Sequence, residues 1–144
     1  MFRNIAVAYN ESPEARRALA AAIRLAKALG TGLHVITVME KLPAYTALAT
    51  GADVSIAVIL EEDRLKFYEQ LQTAARAVAL REGVELVTHL MDGETVDAIV
   101  SFVCEHKVDV LVIGLHRRHD HVSRLWSTVY TIAQNVPCSV LGVH

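Results

Sequence analysis

Three histidines and three arginines stand close together in the segment GLHRRHDHVSR, which spans residues 114–124 and follows the apolar run 110–113. A glycine that ends a buried strand, followed by basic residues and a helix start, is an arrangement with which α/β proteins bind phosphate. Arg117 and Arg118 supply cationic donors that suit phosphate oxygens. The segment predicts an anionic ligand or an acidic protein partner at residues 114–124, and the alternative is a solvated basic surface.

The same loop carries His116, His119 and His121, and imidazole is a common metal ligand. A structural zinc site needs four well-placed ligands, and this H-x-x-H-x-H spacing lacks the scaffold of the known zinc motifs. We therefore expect no metal site. A metal- or pH-responsive regulator stays as an alternative, because an unperturbed histidine titrates near pH ~6.5.

The remaining reactive residue types do not predict catalysis. Ser12 and Ser127 lack the Gly-x-Ser-x-Gly elbow of serine hydrolases. Cys104 and Cys138 are scattered and lack CxxC spacing, so we expect both to be buried thiols in a reducing compartment. Trp126 is the only tryptophan, and core packing is its expected role.

Composition narrows the class of protein. The chain has 144 residues, enough for one domain over residues 1–144, and 53% of them are hydrophobic. A formal net charge of -2 gives no electrostatic case for nucleic acid as the main partner. No apolar run reaches the ~18 residues of a membrane span, and the start of the chain shows no signal-peptide pattern, so we expect a cytoplasmic protein without a membrane partner.

These residues must be positioned by an alternating series of strands and helices. The expected strands are IAVAY (5–9), LHVITVM (33–39), VELVTHLM (84–91), VDVLVIG (108–114) and CSVLGVH (138–144). The expected helices begin after Ser12, near Ser55, after residues 92–94 and near Val122, and residues 40–54 look irregular. Strict alternation predicts a parallel sheet with helices on both faces. Ligands then bind at the carboxyl ends of the strands, which points to residues 10–12, the segment from Glu40 onward, and residues 114–121.

Three stretches resemble the universal stress protein family, and together they cover nearly the whole chain: IAVAYNESPEARRALAAAIRLAKALG, DGETVDAIVSFVCEHKVDVLVIG and SRLWSTVYTIAQNVPCSVLGVH. The most specific is the last, with its step PCSV (137–140) into the final strand. The resemblance implies an open five-stranded parallel sheet of order 3-2-1-4-5, of the adenine nucleotide alpha hydrolase-like type. It also implies a homodimer joined through the C-terminal strand and a role in stress tolerance without efficient catalysis.

Nucleotide-binding members of that family carry a glycine motif after the fourth strand. Its spacing is a glycine, two residues, a second glycine, nine residues, and a third glycine followed by serine or threonine. This chain keeps Gly114 and Thr128 but has Arg117 and Ser127 at the second and third glycine positions. The first family glycine is expected to let the chain turn away from the strand. Carried over from the family, the candidate nucleotide-pocket residues here are Asn10, Val38, Gly114, Arg117, Thr128 and Val129.

Arg117 supports two hypotheses. Its side chain removes the close approach that a glycine allows, which favours loss of family-style ATP binding and no cofactor. Alternatively, its guanidinium clamps phosphate in a rebuilt loop that binds ATP or AMP, with slow ATP hydrolysis left open. We therefore expect a stress protein that acts through protein association or signalling and is not an enzyme, with the adenine-nucleotide module as the alternative.

Overall fold

The structure is a computed structural model that describes residues 1–40, 54–116 and 123–144, without the side chains of 54 and 123–127. It contains five strands: β1 (Ile5–Ala8), β2 (Leu33–Met39), β3 (Leu86–Asp92), β4 (Val110–Gly114) and β5 (Ser139–Val143). Its described helices are α1 (Pro13–Leu29), α2 (Val54–Arg81), α3 (Thr95–Glu105) and α4 (Ser123–Asn135). In this part of the chain no helix is long and apolar enough to cross a membrane.

The strands form one parallel sheet in the order β3-β2-β1-β4-β5, as the resemblance implied. Ile5 of β1 lies beside Leu33 of β2 on one side and Val110 of β4 on the other. The chain order switches on either side of β1, so the carboxyl ends of β1, β2 and β4 border the crevice where ligands of such sheets bind.

Local signals in the sequence fix the bounds of α1. The Ser12 hydroxyl accepts a hydrogen bond from the Ala15 backbone N–H at 3.1 Å, and Pro13 occupies the first helical position. Gly30 ends the helix in the left-handed conformation at φ 64°. These caps place the start of α1 directly after β1, at the carboxyl edge of the sheet.

Both faces of the sheet are covered, which explains the nearly continuous apolar strands. Ile5 and Val7 face α1 and the C-terminal half of α2, whereas Ala6 between them faces α3 and α4. The first core includes Leu19 and Ile23 of α1. The second is built on Ile36, Leu111, Ile99, Phe102, Val103 and Ile132.

Strand β3 begins at Leu86, two residues later than the sequence predicted. The Val84 backbone N–H donates to the Ala79 carbonyl at 3.0 Å, and Gly83 has φ 71°, so the chain is still closing the end of α2 there. The strand lies at the sheet edge as expected. His89 in this strand is half-buried, because its ring packs 4.6 Å from the ring of Phe102, centroid to centroid.

The expectation of two buried thiols is wrong for Cys104, which is exposed. Phe102 and Val103 take the inward positions of α3, and one further residue turns the side chain by about 100° to the outer face. Cys138 is half-buried, and burial raises the pKa of its thiol.

Candidate functional site

A cavity of about 410 Å³ opens at the carboxyl ends of β1, β2 and β4. Five of the six residues proposed from the sequence line it: Asn10, Val38, Gly114, Thr128 and Val129. The sixth, Arg117, lies outside the described residues. The sequence therefore located this cavity, although it named only part of its wall.

The floor of the cavity is apolar. It is formed by Ile36, Val38, Ile99, Ile113, Val129 and Ile132. Ile36 and Ile132 are almost completely buried, so the floor is part of the core beneath the sheet edge and is already formed. A preformed apolar floor with a few polar groups at its rim is typical of small-molecule sites.

Asn10 shapes the rim after β1. The Ser12 backbone N–H donates to Asn10 Oδ1 at 3.0 Å, which closes a local turn. This bond uses one lone pair of the side-chain carbonyl, so Asn10 can still offer its amide N–H₂ as a donor and the second lone pair as an acceptor. An aspartate here would offer only charged acceptors, whereas asparagine adds a neutral donor to the rim.

Gly114 is needed for a close approach. A Cβ at this position would overlap the backbone carbonyl of Glu14 in the first turn of α1. The φ of Gly114 is not among the positive values, so this position does not need a glycine for a left-handed backbone. Its missing side chain lets the end of β4 and the start of α1 touch.

Thr128 contributes to the cavity through its side chain alone. Helix α4 begins at Ser123, in agreement with the sequence, so Thr128 lies five residues into it. Only the first turn of a helix has backbone N–H groups without intrahelical partners. The backbone N–H groups of Ser127 and Thr128 are therefore used within α4 and cannot cradle a phosphate.

Glu14 is the lining residue whose importance the sequence did not reveal. Its Oε1 lies 3.3 Å from His116 Nδ1 and 3.9 Å from an Arg17 guanidinium nitrogen. Its side chain is only 15% exposed. A hydrogen bond from its own backbone N–H holds the pKa of Glu14 below its ordinary value, with smaller contributions from His116, Ser12 and Arg17 against the opposing effect of burial. Its position in the first turn of α1 also complements the helix dipole.

Carboxylates dominate the charge of the described wall. Besides Glu14, the cavity is lined by Glu11, Glu40 and Glu94, all of them exposed. Glu94 also caps α3, since its Oε2 accepts from the Asp97 backbone N–H at 2.9 Å. Among the described lining residues only His116 can carry a positive charge.

Of the three loop histidines, only His116 lies in the part of the chain that the structure describes. Across residues 1–40, 54–116 and 123–144, no group of three or more histidine, cysteine, aspartate or glutamate residues is arranged to hold a metal. His116 contacts Glu14, whereas His119 and His121 lie outside these residues.

A family model described as the universal stress protein family matches residues 1–144. Among solved structures, the chain is similar to universal stress protein UspA from Lactobacillus plantarum, with 19% identity, TM-score 0.79 and 99% and 98% of the two chains covered. It is also similar to a universal stress protein in complex with cAMP, with 23% identity, TM-score 0.76 and coverage of 99% and 97%. A third is the Archaeoglobus fulgidus protein in complex with dAMP, with 22% identity, TM-score 0.70 and coverage of 99% and 98%. A search of curated proteins found no match.

Proposed function

The chain belongs to the universal stress protein family, and from this premise we propose that it is a stress-response regulator whose cavity binds an adenine nucleoside monophosphate. Two of the similar structures contain cAMP and dAMP, each with one phosphate. In this proposal the ligand is bound and released unchanged, and the output is protein association or signalling. A cytoplasmic location is part of the proposal and rests on the family resemblance.

The observation that carries the proposal is the cavity itself. Its volume of about 410 Å³ lies within the range of small-molecule sites. The apolar floor suits a planar base, and the rim offers the Asn10 amide and the Thr128 hydroxyl as hydrogen-bonding groups. These features support a nucleoside-sized ligand.

Family-style binding of ATP is not part of this proposal. A polyphosphate needs several backbone N–H groups or cations, and Ser127 and Thr128 offer no free N–H groups from inside α4. The sequence also replaces the second motif glycine by Arg117. A single phosphate needs fewer N–H groups or cations from the cavity wall than a triphosphate does.

Calorimetry tests the proposal on protein stripped of nucleotide, near neutral pH and with Mg²⁺. We expect AMP or cAMP to bind in the micromolar range and ATP to bind more weakly. The absence of heat for all three ligands up to millimolar concentration would reject the proposal. Release of phosphate from ATP, measured in parallel, would show slow hydrolysis and support the enzymatic alternative.

A matched pair of variants shows whether binding occurs in this cavity. Val38→Phe places a larger side chain into the floor, whereas Val87→Phe adds the same bulk at an exposed position of β3. We expect the first substitution to abolish binding of AMP and the second to preserve it. Equal effects of the two substitutions would place the ligand elsewhere.

We also propose a homodimer that forms through β5. This strand pairs with β4 on one side only, and no described strand pairs with its other edge. Leu141 in its centre is 40% exposed. An open edge of this kind can pair with the same strand of a second copy about a twofold axis.

Sedimentation at micromolar concentration tests the dimer with a matched pair of charge substitutions. Leu141→Lys places a charge on the β5 edge, and Val87→Lys places one on β3 at the opposite edge. We expect a dimeric mass for the unmodified chain and for Val87→Lys, and a monomeric mass for Leu141→Lys. A monomeric mass for the unmodified chain would contradict the dimer.

A further inference from the structure

We propose that the outer edge of β3 is a docking site for an extended segment of a partner protein. The segment adds to the sheet as a further strand and carries an acidic residue opposite Thr88. This inference deepens the proposed function, because it names a surface and a partner chemistry for protein association. It does not require the cavity to bind a nucleotide, so either proposal can fail while the other stands.

The register of β2 and β3 shows which backbone groups of β3 point outwards. The Leu33 backbone N–H donates to the Glu85 carbonyl at 2.9 Å, and Leu33 lies beside Leu86. In a strand, the N–H and C=O of one residue point to the same side, and those of the next residue point to the other. Leu86, Thr88 and Leu90 therefore direct their N–H and C=O groups away from β2.

These outward groups form an open edge within the part of the chain that the structure describes. No described strand pairs with β3 on that side, and no backbone hydrogen bond from another described segment reaches Leu86, Thr88 or Leu90. Proteins usually protect such edges with lysine, proline or a bulge. β3 reads LVTHLMD, without lysine or proline, and its register with β2 is unbroken, so it can accept a further strand along its length.

The side chains beside this edge define the chemistry of the partner. On the α2 side, the exposed Arg76 donates a hydrogen bond from its guanidinium to Thr88 Oγ1. None of the salt bridges among the described residues involves Arg76. On the opposite side, Val87 is 45% exposed. Because cross-strand neighbours interact in pairs, the edge favours an acidic residue opposite Thr88 and apolar residues beside Val87.

A second copy of this chain does not match that chemistry. Symmetric pairing of the three outward residues with the same three residues of a copy is centred on Thr88. Residues directly opposite each other lie about 5 Å apart, so this pairing brings the two Arg76 guanidiniums together, and like charges there are destabilising. Asp92 at the end of β3 does not supply the acid, since its Oδ1 lies 3.6 Å from Arg64. The occupant is therefore a chain of different sequence.

The probe is a fluorescent peptide as long as β3, in which valine alternates with threonine and glutamate replaces the central threonine. Fluorescence anisotropy measures its affinity for the full chain. We expect it to bind about fivefold more tightly than the same peptide with a central lysine, which is the contribution of a good exposed ion pair. Arg76→Gln keeps a donor for Thr88 without the charge and should reduce this difference below about twofold. Arg81→Gln removes another exposed charge of α2 and should preserve it.

Amide hydrogen exchange on the unmodified chain tests the edge itself and needs no variant. In the free chain we expect fast exchange at Leu86, Thr88 and Leu90, and slow exchange at Val87 and His89, whose N–H groups point to β2. Saturation with the glutamate peptide should slow exchange at the first three positions and leave the other two unchanged. This alternation distinguishes an added strand from binding to side chains alone.

Four outcomes would overturn the docking site. They are the absence of binding by the glutamate peptide up to millimolar concentration, equal affinity for the two peptides, slower exchange in β5 in place of β3, and protection of the outward amides in the free chain. Protection that grows with protein concentration would assign the edge to a second copy, and protection independent of it would assign the edge to the chain itself. Failure of AMP to bind would reject only the nucleotide proposal.

Discussion

His34 Nδ1 lies 3.0 Å from His89 Nε2, across the pairing of β2 and β3. The ring of His106 joins them from the end of α3, with its centroid 5.3 Å from that of His89. His106 also stacks on Phe102 at 3.9 Å. Three imidazoles therefore lie on one side of the sheet, and the positive charge of one protonated ring disfavours protonation of the next.

This cluster predicts a loss of stability in mild acid. Burial, followed by the charge of neighbouring histidines, lowers the pKa of His34 and of His89 from the ordinary 6.5. Below pH ~6.5 the unfolded chain binds protons that the folded chain resists, so the free energy of unfolding falls as the pH decreases through this range. Urea midpoints at about pH 7.5 and 5.5 measure the effect.

A pair of substitutions assigns that acid sensitivity to the cluster. His89→Gln removes one titrating ring, and we expect it to reduce the difference between the two midpoints. His144→Gln removes a histidine at the exposed C-terminal residue and should leave the difference unchanged. An equal pH dependence in the chain and in His89→Gln would show that the sensitivity arises elsewhere.

Gly114→Ala should destabilise the fold. Its added methyl group overlaps the Glu14 backbone, which cannot move as a flexible side chain would. We expect the free energy of unfolding to fall by about 1–3 kcal/mol, the usual cost of overpacking. Gly32→Ala is the control, because a Cβ there makes an ordinary contact of 3.5 Å with the Glu85 carbonyl. Similar losses in both variants would contradict the close-approach role of Gly114.

Thr37→Val should stabilise the fold. Thr37 is fully buried in β2, and its Oγ1 has no hydrogen-bond partner among the described residues. Replacing an unsatisfied hydroxyl by a methyl group of similar size should raise the free energy of unfolding by about 1 kcal/mol. Thr73→Val changes an exposed hydroxyl in α2 and should have little effect. A destabilised Thr37→Val would indicate that the hydroxyl is hydrogen-bonded.

Arg117 provides a prediction that comes from the sequence alone, since it lies outside the described residues. If its guanidinium binds the single phosphate, Arg117→Ala should weaken AMP about tenfold and spare adenosine, as loss of a charge-assisted hydrogen bond implies. Arg118→Ala is the neighbouring control.

The double change Arg117→Gly with Ser127→Gly should strengthen ATP binding if the larger side chains at these two positions exclude ATP. No gain in affinity would reject that cause.

The sequence predicted the sheet and its loops well because those features follow from local patterns. Apolar runs such as 110–113 identify buried strands, and Ser12 with Gly30 marks both ends of α1. The family resemblance then supplied the strand order and five residues that line the cavity. Each of these inferences depends only on residues that are close together in the sequence, or on a motif of fixed spacing.

Contacts between distant segments could not be predicted in the same way. Glu14 and His116 are 102 positions apart, and they meet where Gly114 lets the end of β4 approach the backbone of Glu14. The three-histidine cluster depends on the register of β2 and β3, in which Ile36 lies beside His89. The exposure of Cys104 depends on how α3 is rotated against the sheet.

The end of β4 joins two regions that have so far been treated separately. Gly114 touches the backbone of Glu14, and the next residue, Leu115, donates its backbone N–H to the Val143 carbonyl of β5 at 2.7 Å. The Leu115 side chain also closes the space above Gly142 in β5. Close-packed contacts transmit displacement, so a shift of this short segment moves the cavity wall and the outer strand together. Under thermodynamic linkage, a ligand that alters this segment and a second copy that pairs with β5 would change each other's affinity by the same factor.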